Sequence, residues 1–265
     1  PNNRNWVFDH LDSLFMEAAE TNPDLIIWPE CATPAYLLKN KFRFNQVYKN
    51  VELTQIPLLS GIIDWEYTET RRKVYNSAIL ITPERVVTKY DKIKLTPFGE
   101  YVPFSNFFNL LDKFNVGVGN YDHGETYSIF DVDSISFSTV ICFESAFPQL
   151  IREFVLRGAE YLIVIANDGW FGNSSEPFQH AALSRLRAIE QRIPVVRCAN
   201  TGISMIYDRA GRIQSKMGLG ENGVVSAGII PRTSLTFYGK FGDVFAIICI
   251  ITSIMMTFWL WRRER

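Results

Sequence analysis

The run VICFES sets Cys142 at the end of an apolar, β-branched stretch, with Glu144 two residues on. A lone thiol there can be inert core, half of a disulfide or a nucleophile, and free cysteines are among the most buried residue types. It becomes a nucleophile when a base removes its proton and a cation stabilises the developing thiolate. Two other strand-like runs end in groups able to supply those functions. LIIWPE ends at Glu30, and an acid directly after Leu-Ile-Ile-Trp-Pro is placed for the partial burial that suits a carboxyl to proton transfer. The competing reading of Glu30 is a helix N-cap or a surface acid. VVTKYDKIKLTPFGEYVPF carries Lys92, Lys94 and Glu100 around a turn rich in Pro and Gly. A lysine flanked by apolar residues can stand as a fixed positive charge beside a developing oxyanion; alternatively, Lys92 and Lys94 line the solvent face of a strand.

Other chemistries find less to build on. The four cysteines (Cys31, Cys142, Cys198, Cys249) form no CxxC, and His10, His123 and His180 make no paired Cys/His spacing, so neither a disulfide framework, a metal nor a cofactor is expected. A papain-like pairing of Cys142 with His180 lacks a recognisable Asn or Asp orienter, and His180 is expected to cap or pack its helix. Cys31 is expected to point away from Glu30 in an extended chain, Cys198 to lie in the core and Cys249 in a membrane helix. With 27 Lys+Arg against 28 Asp+Glu and no basic stripe, no nucleic-acid partner is expected.

The elements that must position these groups read as alternating strands and helices. Apolar residues at Val7, Leu11, Leu14, Phe15 and Ala18 predict a first helix. PQLIREFVLRGAE and PFQHAALSRLRAIEQR predict two more. Between them, IPLLSGIID, NSAILITP, VVTKYDKIKL, ISFSTVICFE, YLIVIAND, IPVVRCAN and GISMIYDRAGRI predict strands. That alternation implies α/β layers. From Val244 to Leu260 the sequence is apolar or hydroxylic throughout, ending in Trp259 and Trp261 and then Arg262, Arg263 and Arg265. A buried core helix is the alternative, but the all-round apolarity, interfacial tryptophans and basic flank favour a bilayer-spanning helix. The expected organisation is a domain over 1–235, a joint over 236–242, a transmembrane helix over 243–261 and a cytoplasmic basic tail over 262–265. The positive flank places the domain on the extracytoplasmic, periplasmic side of a bacterial inner membrane. A start at Pro1 without a signal stretch is expected of a fragment or processed form.

WPE, KxKLxPFGEYVP, CFExxFP, NDGWFG and RAIEQRIPVVRCANTG, in that order, resemble the nitrilase (carbon–nitrogen hydrolase) superfamily, and within it the apolipoprotein N-acyltransferases. The resemblance covers nearly the whole chain. It implies an α-β-β-α sandwich, with Glu30 as general base, Lys92 stabilising an oxyanion and Cys142 as acyl-accepting nucleophile. It further implies supporting acids at Glu100 and Glu144, and substrate contacts from Phe143, Trp170 and Phe171. The implied partners are a phospholipid acyl donor, a diacylated lipoprotein acceptor and the bilayer. Lys94 stands where the family often has His, and Phe143 where it often has Tyr. The first strand and upstream membrane bundle of that family are expected to be absent here. A membrane-anchored amidase using water as acceptor, and a non-enzymatic tethered module, stay open as alternatives.

Overall fold

The structure, a computed structural model, describes residues 2–101, 120–172 and 174–263. Val102 and Pro103 of the PFGEYVP motif, and Arg265 of the expected tail, lie outside the described residues.

Strands β1 (Ile26–Ile27), β2 (Leu58–Tyr67), β3 (Arg72–Ile81) and β4 (Val87–Asp91) form one sheet in that order, with β1 parallel to β2 and the rest antiparallel. Side chains alternate across a strand, and β2 and β3 use both faces. Leu58, Ile62, Ile79 and Ile81 pack under helices α1 (Asn2–Ala19) and α2 (Lys41–Thr54), against Phe8, Phe15, Val47 and Val51. Leu59, Ala78 and Leu80 face the second sheet. Helix α2 has no counterpart among the expected elements. Its local signals are Asn40, whose side chain accepts from the Arg43 N–H at 3.1 Å, and buried Val47 and Val51 one turn apart.

The second sheet runs β10-β9-β8-β7-β6-β5. Its members are β5 (Phe130–Val132), β6 (Ile135–Ile141), β7 (Tyr161–Asn167), β8 (Val195–Asn200), β9 (Ser204–Tyr207) and β10 (Ile213–Met217). Strands β6, β7 and β8 are parallel. Buried on both faces, β7 reads as an unbroken apolar run from Leu162 to Ala166. Helices α3 (Pro148–Leu156) and α4 (Glu176–Gln191) cover the outer face. The layers are therefore α-β-β-α, a nitrilase-like sandwich. GISMIYDRAGRI, expected as one strand, is a hairpin: the Asp208 carboxylate accepts from the N–H groups of Ala210 and Arg212, both at 2.8 Å, and turns the chain between β9 and β10.

Beyond the sandwich, α5 (Phe237–Phe241) precedes α6 (Val244–Arg263). Twenty residues rise about 30 Å, and α6 is long and apolar enough to cross a membrane. None of its side chains is buried against the sandwich. Its hydroxyls are satisfied within the helix: Thr252 donates to the Ile248 carbonyl at 2.9 Å, Ser253 to Cys249 at 2.8 Å and Thr257 to Ser253 at 2.9 Å. Such internal bonds are what a hydrocarbon surrounding demands of a hydroxyl.

Candidate active site

Glu30 lies just past β1, where the chain continues alongside β2. The Gly61 N–H donates to the Pro29 carbonyl at 3.2 Å, and the Ala32 N–H to the Gly61 carbonyl at 3.0 Å. Gly61 permits that approach, because a Cβ there would sit 2.6 Å from the Glu30 Cα and 2.5 Å from the Pro29 carbonyl oxygen. Two backbone atoms inside van der Waals contact cannot rotate away. Gly61→Ala is therefore expected to cost about 3 kcal/mol, read as a lower denaturant midpoint at unchanged slope. A midpoint equal to that of the parent would refute the tight approach.

Lys92 is the first residue after β4 and is buried, whereas Lys94, two residues on, is exposed. The solvent-face alternation expected of a continuing strand ends because β4 stops at Asp91. The Lys92 Nζ lies 2.8 and 2.9 Å from the two Glu100 carboxylate oxygens and 3.7 Å from Glu30 Oε1. Asn76, from the middle of β3, bridges the two acids, its Nδ2 donating to Glu30 Oε1 at 2.7 Å and to Glu100 Oε1 at 2.8 Å. Burial by itself would depress the lysine. The Glu30 carboxylate, the Cys142 sulfur, Glu100 and Glu144 outweigh it and hold the ammonium above its ordinary range. Burial also opposes ionisation of Glu100, but Lys92 and the N–H groups of Thr96 and Asn76 bring that carboxyl below its usual range.

Cys142 opens a 3₁₀ turn, Cys142–Ala146, directly after β6. Its φ is +54°, the left-handed region, which costs a non-glycine residue roughly 1–3 kcal/mol. The residue is half-buried. Burial and then the Glu30 carboxylate push its thiol up to about 12, with Lys92 and Arg197 pulling partly the other way. At neutral pH the resting sulfur is therefore a thiol, beside a carboxylate and an ammonium whose charges it feels.

Glu144 is fully buried and saturated. Its Oε1 accepts from the Tyr90 hydroxyl at 2.7 Å and from the N–H groups of Ile93 and Lys94 at 2.8 and 2.9 Å; its Oε2 accepts from the Ile141 N–H at 2.8 Å. One carboxyl thus ties the lysine turn to the cysteine turn, while burial raises it above the ordinary carboxylate range.

Residues 2–234 match the family model for carbon-nitrogen hydrolases. The chain belongs to the carbon–nitrogen hydrolase family. It is 34% identical over 255 residues to a Geobacter metallireducens protein named apolipoprotein N-acyltransferase, covering 96% of this chain and 49% of that protein. An Aquifex aeolicus protein of the same name is 34% identical over 221 residues, covering 82% and 48%. This chain spans about half the length of the curated relatives it matches. Among solved structures, a carbon-nitrogen hydrolase from Helicobacter pylori aligns with TM-score 0.65 at 16% identity, covering 85% of this chain and 84% of that one. An amidase from Nesterenkonia sp. aligns with TM-score 0.63 at 18% identity, covering 84% and 83%. These two likenesses bear on the fold.

In this carbon–nitrogen hydrolase, two expectations about neighbouring residues need correction. Cys31 does not point away from Glu30. Its φ is +50°, which breaks the extended alternation on which that expectation rested, and its sulfur faces Asn76 Oδ1 at 4.0 Å. Burial first, then Glu30, drives its thiol far above the ordinary range, and Lys92 and Cys142 also influence it. His180 does more than pack its helix, and it has an aspartate partner. Its Nδ1 lies 2.8 Å from Asp168 Oδ1, and its Nε2 lies 3.0 Å from the Cys142 carbonyl oxygen. Arg197 completes the group, its Nη2 donating to Asp168 Oδ2 at 2.7 Å. The imidazole meets the cysteine backbone, so this is not a papain-like thiol–imidazole pair.

Of the aromatic candidates, Phe143 belongs to the nucleophile turn itself. Phe143 is half-buried and meets Phe147 edge-on with centroids 5.0 Å apart. Trp170 and Phe171, on the loop between β7 and α4, expose 65% and 38% of their surfaces. Among the described residues, no cluster of three or more His, Cys, Asp or Glu could hold a metal.

Proposed function

We propose that this carbon–nitrogen hydrolase chain carries the catalytic centre of an apolipoprotein N-acyltransferase, moving an acyl chain from a phospholipid to the N-terminal amine of a diacylglyceryl-cysteine lipoprotein. The observation that carries the reading is the buried Lys92 ammonium, held by Glu30 and Glu100 and coupled electrostatically to Cys142. The relatives named for this activity supply the substrate class.

The thiol rests protonated, so attack and deprotonation coincide. As the Cys142 sulfur bonds to the ester carbonyl carbon, Glu30 takes the thiol proton. The carbonyl π pair moves to oxygen, and the oxyanion is met by Lys92 and the backbone N–H of Phe143; one such donor typically contributes ~100–1,000-fold. Collapse breaks the ester C–O bond. The lysophospholipid alkoxide leaves with the proton from Glu30, and a thioester remains on Cys142. The lipoprotein amine then attacks that thioester, Glu30 accepts the ammonium proton, and the sulfur departs and regains it. Glu100 keeps Lys92 in place through both halves, and Glu144 braces the two turns.

Both substrates are lipids, which gives α6 a purpose beside the site. Arg152 on α3 donates to the carbonyls of Gly239 and Lys240 at 2.9 and 2.7 Å, and Gln149 donates to Asp243 at 3.1 Å. The helix following the nucleophile turn is thereby fastened to the base of the spanning helix. Arg262 and Arg263 at the far end of α6 have the character of a cytoplasmic flank, which supports a catalytic domain on the extracytoplasmic side of a bacterial inner membrane. Phe143, Trp170 and Phe171 contact the acyl chains.

The test uses the full-length protein in detergent, a phospholipid with a labelled acyl chain and a diacylated lipopeptide. Label is expected first on Cys142 as a thioester and then on the lipopeptide amine. Free labelled fatty acid without N-acylated peptide would replace this reading with hydrolysis.

A further inference from the structure

Asp168, His180 and Arg197 form a buried polar group that the acyl-transfer steps do not use. A carbonyl oxygen only accepts, so the His180 Nε2 at 3.0 Å donates to the Cys142 carbonyl. The same oxygen accepts from the Ser145 hydroxyl at 2.9 Å. The ring's other nitrogen lies 2.8 Å from Asp168 and 3.2 Å from Arg197 Nη2, which fixes its orientation. Arg197 is anchored separately, its Nε donating to the Ile203 carbonyl at 3.1 Å. Room for the carboxylate is reserved at Gly202, where a Cβ would sit 2.1 Å from Asp168 Oδ2.

The Cys142 carbonyl and the Phe143 N–H belong to one planar peptide unit and point in opposite directions. We propose that His180, oriented by Asp168 and Arg197, is a positioning residue that aims the Phe143 N–H at the oxyanion by holding the Cys142 carbonyl at the opposite edge of that peptide unit. The inference rests on the nucleophile and oxyanion roles given above. It explains why a left-handed residue, otherwise costly, is gripped from behind by two donors. It also places His180 in the chemistry without contact to substrate.

The role has a signature that general loosening of the fold lacks. Alkylation of Cys142 by iodoacetamide passes through no oxyanion, whereas acylation by p-nitrophenyl butyrate does. In the full chain in detergent, His180→Leu is expected to slow Cys142 acylation ~100-fold or more, as loss of one oxyanion donor does, through kcat and not KM. Its alkylation rate stays within about threefold of the parent. His180→Gln, which keeps an N–H at that end, restores much of the acylation, and Asp168→Asn gives an intermediate loss. Parent-like acylation in His180→Leu overturns the proposal, as does a matched fall in alkylation and acylation. If His180→Leu does not fold, Asp168→Asn decides by the same ratio. A parent protein acylated by the activated ester but not by phospholipid would sink the lipid substrate and leave His180 standing. A parent whose Cys142 neither ester acylates sinks both.

Discussion

Replacing Cys142 by serine is expected to remove acyl transfer on the order of 10⁶-fold, the scale on which a covalent nucleophile is lost, while thermal unfolding shifts by no more than a few degrees. The argument is one of acidity and geometry. Serine keeps the volume, the left-handed backbone and the grip of His180 and Ser145 on the carbonyl. It gives up a sulfur already pushed to about 12 for a hydroxyl that is harder still to ionise, and the carboxylate of Glu30 cannot make up the difference. Three other cysteines remain in the variant, and Cys31 lies against the same cluster. The decisive measurement is therefore a mapped thioester, by mass, and not total thiol reactivity. Label from a phospholipid found on Cys31, or turnover surviving in Cys142→Ser, would contradict the assignment. Cys31, whose sulfur faces the Asn76 amide oxygen at 4.0 Å, is expected to stay unlabelled.

The sites legible in the sequence share one trait: each stands at the end of a strand-like run. Glu30 after LIIWP, Lys92 after β4 and Cys142 after β6 stand where strands stop, and α/β folds display side chains at those ends. What joins them could not be read in the same way. Asn76 sits inside β3, and it bridges Glu30 and Glu100 only because strand pairing brings three distant segments together. The link between Asp168, His180 and Arg197 likewise needs β7, α4 and β8 in register, which no local pattern encodes. Cys31 departs from its expected face for a related reason. Alternation assigns faces only while φ stays extended, and at Cys31 it does not. Helix α2 carries a weak local signal because Val47, Tyr48 and Val51 are few among charged and polar neighbours, and only the Asn40 cap marks its start.

Glu30→Gln separates two effects that act on Cys142 in opposite directions. The Glu30 carboxylate disfavours the thiolate and so raises the thiol; removing its charge lowers it. At any pH from 7 to 9 the variant thus carries more thiolate than the parent, and its alkylation by iodoacetamide is expected to be faster, with the whole rate profile moved to lower pH. The parent profile climbs about tenfold per pH unit across that range, since it lies well below 12. Acyl transfer goes the other way. Without a base to accept the proton as sulfur attacks and later as the amine attacks, turnover is expected to fall ~10²–10⁴-fold. The fold tolerates the change, because glutamine still offers an oxygen to the Asn76 amide and Lys92 keeps both oxygens of Glu100. A nucleophile more ionised yet far less productive can only be short of a proton acceptor in the transition state. Were the variant to alkylate more slowly than the parent, Glu30 would instead be setting the resting thiol, and the concerted step would have to be abandoned. Turnover within tenfold of the parent would move the base role to another group altogether.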